Sequence, residues 1–324
     1  RPPYPACIAG IAPAPYGAPP PMAHASLPGG PRPDVQGFYD EVTGSVQYVV
    51  SDPRTRCCAI IDPVLDFDHA AGSVATRSAD AILAYIGDQG LRPVWILETH
   101  PHADHFSAAH YLKEKTGTPT AIGARIVEVQ AVWKAVYGMD ELPADGSQWD
   151  RLVDDGDQLE VGDLRVRVMA CPGHTPASVT YVAGDAAFIH DTLFMPDSGS
   201  ARADFPGGCA TQLWHSIQAI LALPDATRLF TGHDYRANGR EPRWESTVGE
   251  QRRSNIHVAG YDHDRYVAMR RERDASLRPP TLMLLALQVN IQGGRLPDPQ
   301  ADGRRYLTFP LDAFARLHTP TSPG

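Results

Sequence analysis

The chain is poor in the features that carry nucleic acid or membrane binding. Lys and Arg number 29 against 38 Asp and Glu, a formal charge of −9. No basic face is available to displace counterions from phosphates. The pairs Arg270-Arg271 and Arg304-Arg305 read as solvated faces and turns. The most apolar run, residues 282–287, is far short of the ~20 residues that span a bilayer. Neither nucleic acid nor membrane is therefore expected as a partner. Cysteine is scarce: Cys7, Cys57, Cys58, Cys171 and Cys209 are odd in number and form no disulfide spacing, which leads us to expect a reduced, cytoplasmic protein. The basic start and apolar run of a signal peptide are also missing, and no internal repeat is visible.

The 324 residues suit one large domain or two small ones, and 43% hydrophobic content supplies a core. Residues 1–33 stand apart, with 11 prolines among alanines and glycines. Such a segment buries too little apolar surface to offset its ordering entropy, so it is expected to be disordered. The chain opens on Arg1, and Met22 is the expected natural start.

From Gly37 the pattern becomes globular. Strands are predicted over 45–50 and 58–62, with Asp52-Pro53 as the turn and Cys57 and Cys58 on opposite strand faces. Ser78 is placed to cap a helix with Ile82, Leu83 and Ile86 at helical spacing, ended by Gly90 and Pro93. A buried strand over 94–97 runs into Thr99-His100. A helix containing Phe106, Ala109, Tyr111 and Leu112 stops at Gly117. Further strands are predicted over 120–122, 164–168, 179–182, 187–189 and 228–231, and helices over 126–137 and 213–223. Beyond Pro242 the chain reads as helical, over 250–258, 265–277 and 282–291. Many strands end on a histidine or aspartate. Two sheets with helices outside them would gather those ends at one edge.

His100, His102, Asp104 and His105 place four donor side chains within six residues. Such a loop is favourable when a cation partners it, because buried imidazole and carboxylate groups otherwise go uncompensated. His174 and His233 each follow a glycine, which suits a tight turn presenting the ring. The ordered set His100, His102, Asp104, His105, His174, Asp191 and His233 resembles the metallo-β-lactamase superfamily over about residues 37–241. The resemblance implies an α+β fold, a four-layered αββα sandwich. With the helical pattern beyond Pro242, the expected division is a catalytic domain over 34–241 and a mainly helical extension over 242–324 that covers it. One departure is visible: His190 stands where the family usually has glycine before the metal aspartate, and it is expected to point to the other sheet face.

Within the superfamily, several segments resemble the persulfide (sulfur) dioxygenases, in the bacterial glyoxalase II-like group. These are Thr-His-Pro-His-Ala-Asp-His with alanine before Asp104, the stretch around Arg202-Ala203-Asp204-Phe205, and Gly232-His233-Asp234-Tyr235. No stretch resembles a rhodanese. The resemblance implies one Fe(II) per chain on His100, His174 and Asp191, with zinc as the alternative metal. His102, Asp104, His105 and His233 would surround it. Two histidines and a carboxylate on one face leave positions open for substrate and O₂. The implied substrates are glutathione persulfide and O₂. Arg202 either pairs with a glutathione carboxylate or with Asp204, and Tyr235 either reaches the site or packs. Cys171 reads as core filler. The competing resemblance is to glyoxalase II and related thioester hydrolases, which use all seven positions for two metals. A nuclease and a non-catalytic metal or sulfide sensor are more distant readings. Monomer and homodimer both stay open.

Overall fold

The computed structural model describes residues 31–313. Most of the proline-rich segment, with Met22 and Cys7, lies outside the described residues. The elements of the first half are β1 (Asp34–Tyr39), β2 (Val46–Ser51), β3 (Cys57–Ile61), β4 (Val64–Asp68), β5 (Ser73–Ala75), α1 (Arg77–Asp88), β6 (Arg92–Leu97), β7 (Phe106–Ser107), α2 (Ala109–Thr116), β8 (Thr120–Gly123), α3 (Ile126–Tyr137) and β9 (Arg151–Val153). The second half has β10 (Gln158–Val161), β11 (Leu164–Ala170), β12 (Val179–Ala183), β13 (Ala186–His190), α4 (Ala210–Leu221), β14 (Arg228–Thr231), β15 (Glu245–Thr247), α5 (Val248–Ser254), α6 (His263–Ala275) and α7 (Met283–Asn290).

Two six-stranded sheets, β1-β2-β3-β6-β8-β9 and β10-β11-β12-β13-β14-β15, face each other. Their shared core follows from strand alternation. Val46, Tyr48 and Val50 of β2 point inward to meet Val166, Val168, Tyr181 and Phe188 of the second sheet. The intervening Val49 points outward, with Cys58 and Ile60, onto Ile82 and Ile86 of α1. On the far side Val182, Ala187, Ile189 and Leu229 pack under Leu213, Ile217 and Ile220 of α4 and Tyr266 of α6. The layers are thus helix, sheet, sheet, helix: the α+β sandwich of the metallo-β-lactamase type.

Cys57 faces the inter-sheet core and Cys58 the helical side, as alternation requires. Helix α7 is buried on several faces and apolar except for Gln288 and Asn290. Its Met283 and Leu287 join the α3 cluster, while Ala286 and Val289 join the α1–α2 cluster. No helix among the described residues is long and apolar enough to cross a membrane.

Three local expectations change. Ser78 does not cap α1: it lies inside the helix, and its N–H and hydroxyl both donate to Asp66. Phe106 is not helical; β7 pairs with β4, and the Phe106 ring stacks on Phe67 with centroids 4.2 Å apart. The helix predicted over 250–258 ends at Ser254. The buried Asn255 amide turns out of the helix to donate to the Gly199 carbonyl and to Gln251.

Candidate metal centre

The ends of β6, β13 and β14, with the loop after β11, bring His100, His174, Asp191 and His233 to one edge of the sandwich. The seven residues of the sequence motif fall into two groups. One ligand atom each from His100, His174 and Asp191 lies within 4.8 Å of the others, and all three residues are buried. His102, Asp104 and His105 form a second such group. His233 joins them: its Nε2 is 3.4 Å from Asp104 and 3.5 Å from Asp191.

Hydrogen bonds around the rings settle which nitrogen is free. Thr99 donates its hydroxyl to Asp62 at 2.7 Å, so it accepts from His100 Nδ1 at 3.0 Å. His174 Nδ1 donates to the Arg202 carbonyl at 2.9 Å, an oxygen that only accepts. His105 Nδ1 lies 3.1 Å from Asp104 and 3.2 Å from the Ser45 hydroxyl. Each of these rings therefore carries its proton on Nδ1 and offers the Nε2 lone pair. Outer partners of this kind fix tautomer and orientation in metal sites. His102 differs: its Nε2 lies 3.1 Å from Asp62 as an ion-pair contact, and neither of its ring nitrogens has a hydrogen-bond partner.

These atoms fit a cation. His100 Nε2, His105 Nε2, His102 Nδ1, His190 Nδ1 and Asp191 Oδ1 are buried with no hydrogen-bond partner. Each such dry atom costs about 1–3 kcal/mol, and a cation would satisfy several together. The electrostatics agree for the first group. Burial, then the neighbouring rings, pushes His100 well below the ordinary histidine range. Burial also lowers His174, against the pull of Asp191. Both rings are thus neutral at pH 7, the form that can ligate a metal. Burial acts downward on His102 too, but Asp62 outweighs it and holds the ring up to about 9. Burial acts upward on Asp104, and His233 and His105 outweigh it, keeping the carboxylate ionised.

His190 is a correction. It does not turn to the opposite face. Its ring centroid lies 5.1 Å from that of His100, inside the site. Phe188 faces the inter-sheet core, so strand alternation sends His190 the same way. A φ of +39° at His190 then swings the next residue, Asp191, toward the site as well. Glycine suits a positive φ, which is the physical sense of the usual residue here. The two glycines before histidines also differ from each other. Gly173 combines a φ of +137° with a close approach to the Leu213 backbone, whereas Gly232 is needed for space alone: a Cβ there would sit 2.8 Å from Asp191 Oδ1.

Arg202 is engaged within the chain. Its guanidinium grips Asp204 at 2.6 and 2.8 Å and donates to the Arg278 carbonyl at 2.7 Å. Its main-chain carbonyl is what meets the site. Tyr235 is 59% exposed and stacks on His233 at 5.4 Å, forming the rim. Cys171 is buried in the α4-side core and pushed up to about 12 by that burial, which suits filler rather than a nucleophile.

Sequence reading missed several supports. Asp62 binds the Thr99 N–H and hydroxyl. Asn290 of α7 donates to the carbonyls of His102 and His105 at 2.8 and 2.7 Å and accepts the Ser107 N–H at 2.8 Å. Asp234 is buried under Arg240, at 2.5 and 2.8 Å. Only Asp234 adjoins a motif residue in sequence; Asp62 and Asn290 lie 37 and 183 or more residues from the groups they hold, and nothing local marks them.

Residues 41–233 match the family described as the metallo-beta-lactamase superfamily. The chain is 63% identical over 87% of its length to a "Beta-lactamase hydrolase-like protein" of Xylella fastidiosa, and spans 65% of that relative. It is 43% identical to "Glyoxylase B2" of Dictyostelium discoideum, covering 86% of this chain and 97% of the relative. It is 31% identical to the mitochondrial "Persulfide dioxygenase ETHE1" of Homo sapiens, covering 67% of this chain and 73% of the relative. Sandwich, strand-end donors and family match agree: the chain belongs to the metallo-beta-lactamase superfamily, a family of metal-binding enzymes.

Proposed function

We propose that the protein is a mononuclear non-haem iron dioxygenase that oxidises glutathione persulfide. In the overall reaction persulfide, O₂ and water give glutathione and sulfite. The carrying observation is the buried trio His100, His174 and Asp191, whose two rings are each locked with Nε2 free. Two imidazoles and a carboxylate on one side are the donor set of oxygen-using iron sites. Bound iron would supply redox chemistry and hold sulfur and O₂ side by side.

The chain's residues would do the rest. Thr99, backed by Asp62, holds His100 in its tautomer, and the Arg202 carbonyl does so for His174. His102, Asp104, His105 and His233 would form a polar wall that orients water and substrate by hydrogen bonds. Tyr235 and Phe194, with rings 5.5 Å apart, would make the apolar rim for the persulfide. Arg202 would bind a glutathione carboxylate only by exchanging Asp204 for it. We also propose residues 34–241 as the catalytic domain and the helices from 242 onward as its cover.

A two-metal thioester hydrolase is the second reading. It is favoured by the second donor group, His102, Asp104 and His105, and by the names of the hydrolase-like and glyoxylase relatives. An oxygen electrode separates the two. Uptake of O₂ with glutathione persulfide supports the dioxygenase. No uptake, with cleavage of S-lactoylglutathione under anaerobic conditions, overturns it.

A further inference from the structure

Arg270 and Asp274 lie one turn apart on α6 and are 1% and 4% exposed. The proposed chemistry uses neither. A buried ion pair is often no more stable than an apolar pair of the same volume, so its bonding elsewhere is informative. Arg270 Nε and Nη2 reach Asp274 Oδ1 at 2.9 and 2.6 Å. The two residues spend their remaining bonds on one short stretch of backbone. Arg270 Nη1 donates to the Ser200 carbonyl at 2.9 Å, and Asp274 Oδ2 accepts the Ala203 N–H at 2.9 Å. Between those anchors sits Arg202, whose carbonyl accepts the His174 Nδ1 proton. His257 and Tyr266 add further bonds at Ser200, from its N–H at 2.9 Å and its hydroxyl at 3.0 Å.

We propose that Arg270 and Asp274 are positioning residues for the metal centre, gripping the backbone on both sides of Arg202 so that its carbonyl fixes the His174 ring. The C-terminal helices are then part of the metal site and not only its cover. The chain of contact runs from α6 through Ser200 and Ala203 to Arg202, and from there to a ligand. Arg202's own side chain anchors it to Asp204; the α6 pair sets the peptide planes around it. The inference rests on His174 being a metal ligand, which the one-metal and two-metal readings share.

The test is titration of Co(II) into metal-free protein, read by its visible absorption, alongside thermal unfolding. Arg270→Met with Asp274→Leu removes the grip while keeping apolar volume. Arg270→Lys keeps the charge beside Asp274 but cannot also reach the Ser200 carbonyl in the same fork. Leu159→Ala, on β10 away from the site, is the control for lost stability alone. The double variant is expected to weaken Co(II) binding about 10–100-fold with an altered spectrum, and Arg270→Lys at least about 3-fold. Leu159→Ala is expected to bind as the parent does at an equal or larger fall in unfolding temperature. Should the double variant not fold, Arg270→Lys decides. Binding within twofold of the parent and an unchanged spectrum in the Arg270 variants would overturn the proposal. So would equal weakening by Leu159→Ala. Absence of O₂ uptake would count against the dioxygenase and leave this measurement untouched.

Discussion

Gly173→Ala is the sharpest single perturbation of the site. A Cβ at Gly173 would lie 2.3 Å from both Leu213 N and Cα, and 2.6 Å from Leu213 Cβ. Carbon contacts settle near 3.5–4 Å, so the gap must open by about 1 Å. The obstacle is backbone in the first turn of α4, whose Leu213, Ile217 and Ile220 are locked into the core. It cannot yield as a side-chain tip would. The φ of +137° adds strain for any residue with a Cβ. Overpacking costs about 1–3 kcal/mol and strained backbone about 1–3 kcal/mol. Together they give about 2–6 kcal/mol, a large share of the roughly 5–15 kcal/mol that holds a domain. His174 follows directly, so the same shift pulls its Nε2 away from His100 and Asp191. Urea unfolding of metal-free protein reads the first effect, and metal content after anaerobic purification reads the second. A midpoint unchanged within error, with full metal content, would refute the steric reasoning.

Gly232→Ala should behave differently. Its nearest obstacle is the Asp191 carboxylate oxygen at 2.8 Å, so metal affinity should fall about 10–100-fold with a smaller loss of stability, measured by the same pair of assays. Asn290→Ala leaves the Ser107 N–H and two carbonyls of the motif loop without their partner; we expect a loss of about 2–4 kcal/mol in urea unfolding, and a neutral result would refute the bracing role. His257 offers a test of pH dependence. Burial, aided by Arg270 and Arg273, holds it down to about 4. The unfolded chain thus binds its proton first, near pH 6.5. Stability from this group is complete above about 6.5 and is lost as pH falls toward about 4, by about 3 kcal/mol. His257→Asn keeps an acceptor for the Ser200 N–H but cannot titrate, so metal-free variant and parent should converge in stability across that window. Parallel curves would contradict the assignment.

Much of this architecture is legible in the amino-acid sequence. The strands carrying His100, His174, Asp191 and His233 are written in alternation and turn residues, and the donor types recur in order. What escaped was non-local. The β4 strand over Val64–Asp68 and its partner β7 read weakly because each is short and stabilised by the other. Asp62 and Asn290 sit 37 and 183 or more residues from the groups they hold. His190 follows the alternation of its strand into the site, and a positive φ there then brings Asp191 to the same side, which period-two reasoning about residues beyond the strand does not foresee.

The central claim is that one metal, iron, sits on His100, His174 and Asp191. Its most direct test is metal content per chain in anaerobically purified parent, His174→Ala and His105→Ala. One iron is expected in the parent, none in His174→Ala and one retained in His105→Ala. Two zinc ions in the parent, with one lost in His105→Ala, would contradict it and make the second donor group a metal site in its own right.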